Sequence, residues 1–189
     1  AAMVFYYLDA FSIQKKYTKE INAYADKALS LDSGLGESLI AKGLTYAHKK
    51  EFASAIPYLE KALEYDSNSG LVIHFLSEFY SIYVSNPSKY LEYALKGVIL
   101  DSSSYDSTTA AFKYFHLSNA FLQAGFTDEA QQYVDKSLAY NPSSPFPVYV
   151  QSTIVYTRKK NFSDARQILV NELIRDSTRF DLLQEIGKM

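Results

Sequence analysis

GESLIAKGLTYAHKKEFASAIPYLEKALEYDS, residues 36–67, decides the fold. Leu39, Gly43 and Tyr46 recur three or four residues apart. After the polar break His48-Lys49-Lys50-Glu51 the rhythm resumes at Phe52, Ala55, Leu59, Ala62 and Leu63. That spacing places each series on one face of a helix, so the stretch reads as two amphipathic helices joined by a tight turn. Gly43 and Ala55 lack bulk where the helices of such a hairpin cross, which lets the backbones approach closely.

The pattern recurs along the chain. Each unit closes on a short polar dipeptide: Asp32-Ser33, Asp66-Ser67, Asp101-Ser102, Asn141-Pro142 and Asp176-Ser177, at successive spacings of 34, 35, 40 and 35 residues. A regular period of this length marks a repeat architecture in which each hairpin buries its apolar face on its neighbours. The 36–67 stretch resembles a tetratricopeptide repeat, a helix–turn–helix unit of 34 residues. With Gly36 as position 1, signature positions 4, 8, 11, 20, 24 and 27 hold Leu39, Gly43, Tyr46, Ala55, Leu59 and Ala62. Lys42 and Ser67 depart from that signature, where the family prefers a large apolar residue and proline. The resemblance implies an all-α, right-handed α-solenoid of about five hairpins plus the start of a sixth. Its units span about 2–35, 36–69, 70–104, 105–144 and 145–179, with a partial unit at 180–189, all in one repeat domain.

Helices are expected over 3–16, 18–31, 36–49, 52–65, 70–84, 87–100, 106–124, 127–140, 146–160 and 162–175. Thr18, Thr127 and either Asn161 or Ser163 are candidate N-caps, and a cap near Ser104 or Asp106 suits the helix after the serine-rich insertion at 102–109. Pro87 fits the first turn of a helix, where a missing N–H costs nothing, and Gly125 fits a helix end. The third turn, Ser85-Asn86-Pro87-Ser88, carries one extra residue. Tyr90 replaces a small residue there, so that hairpin is expected to open slightly. Glu172 stands at a usually small position, which predicts looser packing against a sixth unit. In that partial unit Leu183, Ile186 and Gly187 fall on signature positions, and Leu183 and Ile186 are expected to pack on the fifth unit. The pattern stops part-way through a hairpin, which reads as a fragment of a longer repeat protein.

Composition narrows the function. The 189 residues, 48% of them hydrophobic, suffice for a sizeable core. No apolar run reaches the roughly 18 residues of a membrane span. The absence of cysteine excludes disulfides and thiolate zinc sites without settling the compartment, for which the cytoplasm is favoured. A net charge of −2 with no basic run gives no electrostatic reason to expect nucleic acid or a membrane as partner. There is no phosphate-binding loop, dinucleotide fingerprint, HExxH or nucleophile elbow, so neither a catalytic residue nor a cofactor is expected. His74 and His116 fall at neighbouring positions of adjacent units, but two imidazoles without a third ligand make no metal site. The lysine pairs 15–16, 49–50 and 159–160 each close a first helix, where cations suit the negative end of the dipole.

The resemblance also implies where a partner would lie. In tetratricopeptide repeats the first helices line a concave groove, which here places Tyr7, His74, Phe75, Glu78, Phe112, Phe115, His116, Asn119, Gln151 and Arg158 on that face. At least one of the phenylalanines is expected only to seal neighbouring units. The lysine–asparagine carboxylate clamp of chaperone-binding members has no counterpart: the corresponding pairs are Tyr6/Ala10, Ile40/Leu44, His74/Glu78, Phe115/Asn119 and Val150/Ile154. Recognition of acidic chaperone tails is therefore not expected. The leading reading is a non-catalytic scaffold with a protein or peptide ligand in the groove. The alternative is a sensory segment of a larger bacterial transcription regulator, which the opening YTKEINAYADKALSLD resembles.

Overall fold

The computed structural model describes residues 17–32, 36–100 and 106–188. Tyr7 and the helix expected over 3–16 lie outside them. Among the described residues there are ten α-helices and no strand. They are α1 (Thr18–Leu31), α2 (Gly36–His48), α3 (Phe52–Tyr65), α4 (Gly70–Glu78), α5 (Pro87–Ile99), α6 (Ser107–Gln123), α7 (Thr127–Tyr140), α8 (Pro147–Lys159), α9 (Phe162–Arg175) and α10 (Phe180–Lys188). A π-helical turn, Phe79–Tyr83, continues α4. This is an all-α helical-repeat architecture of the solenoid class. The chain divides into two compact units between Tyr93 and Ala94, within α5.

In the first unit, α2 and α3 form the close hairpin that the small residues demand. A methyl group built on Gly43 would lie 2.9 Å from both Cγ and Cδ2 of Leu59 and 3.3 Å from the Ala55 carbonyl. Ala55, Leu59 and Ala62 are all buried. Lys42, one of the two departures from the repeat signature, reaches across to α1 and pairs with Asp26 at 2.6 Å. Thr18 is not an N-cap: Tyr17 holds that place without a side-chain cap. Thr18 instead lies in the first turn, its hydroxyl 2.9 Å from His48 Nε2 at the end of α2.

The extra residue of the third turn is absorbed into the backbone ladder. Val84 N–H donates to the Phe79 carbonyl at 2.9 Å, an i→i+5 bond, and Ser85 adopts a left-handed φ of 48°. Such a π-turn accommodates one residue more than an α-helix allows. Tyr90 is fully buried, and Tyr80 and Tyr93 stack at 5.9 Å with planes 5° apart. Both hydroxyls donate to the same oxygen of Glu60 on α3, each at 3.0 Å. The large ring at a usually small position is thus taken into the core, in a layer of tyrosines anchored on one carboxylate.

In the second unit, small polar residues fix the helix pairs. Ser137 Oγ on α7 donates to the Ala111 carbonyl on α6 at 2.7 Å, and Ser152 Oγ on α8 donates to the Ala165 carbonyl on α9 at 2.8 Å. Asp106 caps α6 by accepting from Thr109 N–H at 2.9 Å, and Asn161 caps α9 by accepting from Ser163 N–H at 2.9 Å. Gly125 ends the α6 segment at φ 89°. Thr127 is not a cap: Phe126 precedes α7 without a side-chain bond, and Asp128 and Glu129 meet the exposed amides of the first turn through the dipole.

The last helix departs from the repeat count by one residue. Leu182, not Leu183, is the buried contact: it packs with Val148 and Leu169, and Ile186 joins them, whereas Leu183 is half exposed. The register is set by Arg179, immediately before α10. Its guanidinium donates to Asp181 through Nη2 at 2.7 Å and Nε at 3.0 Å, and to the Pro145 carbonyl at 3.1 Å. Tyr149 on α8 donates its hydroxyl to the same Asp181 carboxylate. Glu172 pairs with Arg175 at 2.7 Å and lies 3.6 Å from Arg179. The carboxylate expected to loosen this junction therefore helps hold it.

Candidate interaction groove

The richest cluster of expected groove residues lies on α6. Phe112, Phe115, His116 and Asn119 occupy positions i, i+3, i+4 and i+7, one stripe of the helix. The His116 ring packs edge-on against Phe112 at 4.3 Å and Phe115 at 5.3 Å. Phe115 lies 5.6 Å from Phe146, the residue that enters α8. Phe115 is half-buried against the core of Ala130, Val134, Val150 and Ile154, so it both supports and borders the stripe. Phe112 and Phe146 are 42% and 47% exposed, which leaves two ring surfaces open to solvent. The half-buried Asn119 amide lies one turn further on. Phe146 is absent from the expected set, although it opens the helix expected over 146–160. An aromatic residue just before Pro147 was the available signal.

The other expected positions separate. Gln151 borders a depression of about 370 Å³ with Leu138, Val148, Asn171, Glu172 and Arg175, at the ends of α7 and α9. Arg158 is exposed and pairs with Asp128 at 2.6 Å, tying the end of α8 to the start of α7. In the first unit His74 is exposed, Glu78 is half-buried and Phe75 is buried, 5.9 Å from the Phe79 ring. Phe75 is buried beside a ring of its own helical segment, so it offers little ring surface to a groove. Among the described residues no group of three or more histidine and acidic side chains is placed to hold a metal ion.

Residues 36–69 match the tetratricopeptide-repeat family model. Across a larger span the chain superposes on solved helical-repeat structures. One is PilF of Pseudomonas aeruginosa, with a TM-score of 0.63 at 20% identity over 89% of this chain and 73% of that one. A structure of MamA gives a TM-score of 0.67 at 18% identity, covering 90% of this chain and 98% of MamA. Residues 36–69 thus form a tetratricopeptide-repeat unit, and the chain as a whole shares the helical-repeat fold of these structures. A chain of the APC/C hetero-tetramer Cut9–Hcn1 shares the repeat fold at a TM-score of 0.60 and 12% identity, over 92% of this chain and 34% of that one. No curated protein matches in sequence. At these identities the likeness concerns fold.

Proposed function

We propose that the protein is a non-catalytic binding module whose α6 stripe receives a peptide or a helix of a protein partner. The observation that carries this reading is the stripe's mixture of character. Phe112 and Phe115 hold His116 between their ring edges, Phe146 stands beside Phe115, Phe112 and Phe146 are partly exposed, and an amide lies one turn away. Rings of this kind supply large contact area at small entropic cost, while the amide fixes the direction of a bound backbone. The stripe itself carries no carboxylate or ammonium group, so it favours an apolar anchor residue over an acidic tail. This agrees with the absence of the carboxylate clamp.

The test is selection from a displayed peptide library, followed by titration of the selected peptide. Phe112→Ala and Asn119→Ala should weaken binding by about tenfold or more, the loss of one good anchor contact. Arg158→Ala, an exposed change away from the stripe, should leave melting within about 0.5 kcal/mol of the parent. Equal affinity for parent, Phe112→Ala and Asn119→Ala would place binding elsewhere and end this reading.

A further inference from the structure

The turn that closes the third hairpin carries a feature the groove does not use. Ile82, Tyr83 and Val84 are 64%, 48% and 38% exposed in succession. Successive residues of a helical segment point about 100° apart, so three exposed in a row mean that this end stands clear of its neighbours on most sides. A helical partner would need a stripe at i, i+3 and i+4, which these residues do not form. The Tyr83 ring stacks face to face on Phe52 at 3.6 Å, with planes 8° apart, and this ties the tip to the turn between α2 and α3. That turn carries Lys49 and Lys50, both exposed. Two amides of the tip are paired within it. Val84 N–H donates to the Phe79 carbonyl at 2.9 Å and Asn86 N–H to the Tyr80 carbonyl at 3.0 Å.

We propose that this tip is a peripheral docking surface for an anionic lipid bilayer, distinct from the groove and lying wholly within the first unit. Ile82 and Val84 form the wedge that enters the acyl boundary. Tyr83 sits at headgroup depth, where an apolar ring with a polar end is best solvated. Lys49 and Lys50 lie alongside at the level of the lipid phosphates, their stems against the boundary and their ammonium groups in water. Among the described residues no helix is long and apolar enough to cross a membrane, so the contact is with the surface. Glu51 in the same turn offsets one lysine. The apolar wedge therefore carries the larger share, and the lysines set the preference for anionic lipid. The whole-chain charge of −2 hides this local arrangement.

Flotation of the purified protein with phosphatidylcholine vesicles, with and without phosphatidylglycerol, tests the proposal. The parent protein should float with the anionic vesicles, less as salt is raised, and more weakly but still measurably with phosphatidylcholine alone. The double variant Ile82→Ser/Val84→Ser should lower partition by about tenfold or more, and Lys49→Glu/Lys50→Glu should remove the preference for anionic lipid. Leu31→Ser, which alters an apolar side chain 78% exposed elsewhere in the first unit, should change nothing. Circular dichroism of each variant confirms that the helices are kept. Equal flotation of parent and wedge variant would overturn the proposal, as would no flotation of the parent. Self-association without lipid that the wedge variant abolishes would make the tip a protein interface, and that outcome also overturns it.

Discussion

Replacing Gly43 by alanine sets two effects of known sign against each other. In a helix interior the change is favourable by about 1 kcal/mol, because alanine loses less backbone entropy than glycine. At this position the added methyl would lie 2.9 Å from Leu59 Cγ and Cδ2 and 3.3 Å from the Ala55 carbonyl. Leu59 is wholly buried, and the atoms struck include its branch point as well as a terminal methyl, so rotation offers little relief. Overpacking of a tight core costs about 1–3 kcal/mol, and a contact this short belongs in the upper half of that range. The net expectation is destabilisation by about 1–2 kcal/mol once the propensity gain is deducted. Urea unfolding measures it. Leu59→Ala alone should cost about 2–5 kcal/mol through the cavity it leaves. In that background the methyl has room, so Gly43→Ala should become neutral or stabilising by up to about 1 kcal/mol. Gly187→Ala, where nothing lies within 4 Å, should not destabilise. Stabilisation by Gly43→Ala in the parent, or strict additivity with Leu59→Ala, would refute the close α2–α3 crossing.

Three further perturbations probe the polar contacts. Ser118 Oγ is buried without a hydrogen-bond partner, so Ser118→Ala should be neutral or stabilising by up to about 1 kcal/mol in thermal unfolding. Burial, reinforced by the bond to Glu60, pushes the Tyr80 hydroxyl up to about 12. Its contribution should be complete below the ordinary tyrosine value near 10 and lost as pH rises toward 12, and Tyr80→Phe should flatten that alkaline decline at a cost near pH 7 of about 1–2 kcal/mol. The bonds from Arg179, then from Tyr149, hold the Asp181 carboxyl well below the usual carboxylate range. The contribution of Asp181 should therefore be present above the ordinary value near 4 and fade as pH falls below it, while Arg179→Ala should free α10, seen as faster amide exchange over residues 180–188.

The helix limits were legible because the repeat period fixes phase: α1, α3, α7 and α9 begin and end where the spacing of apolar residues placed them. Gly43, Ala55 and Ala62 were legible for the same reason, since a close crossing needs small residues at fixed positions. The period does not specify which side of a one-residue offset a short helix takes. Leu182 replaced Leu183 as the inward residue of α10 because Arg179, through contacts to residues 34 and 30 positions earlier, sets that register. Nor could spacing separate Phe75 from Phe112: both fall on expected groove positions, yet the first is buried beside the Phe79 ring of the π-turn and the second is 42% exposed. A π-turn depends on where one extra residue is absorbed. Ser85-Asn86-Pro87-Ser88 announced the extra residue but not that the end of α4 would take it up.

Hydrogen exchange with and without a library-selected peptide tests the binding-module account most directly. The peptide should slow exchange of amides in α6 over residues 107–123 and at the start of α8 near Phe146, leaving α7 and α9 unchanged on their outer faces. Protection confined to α7 and α9, with α6 exchanging as in the free protein, would contradict it.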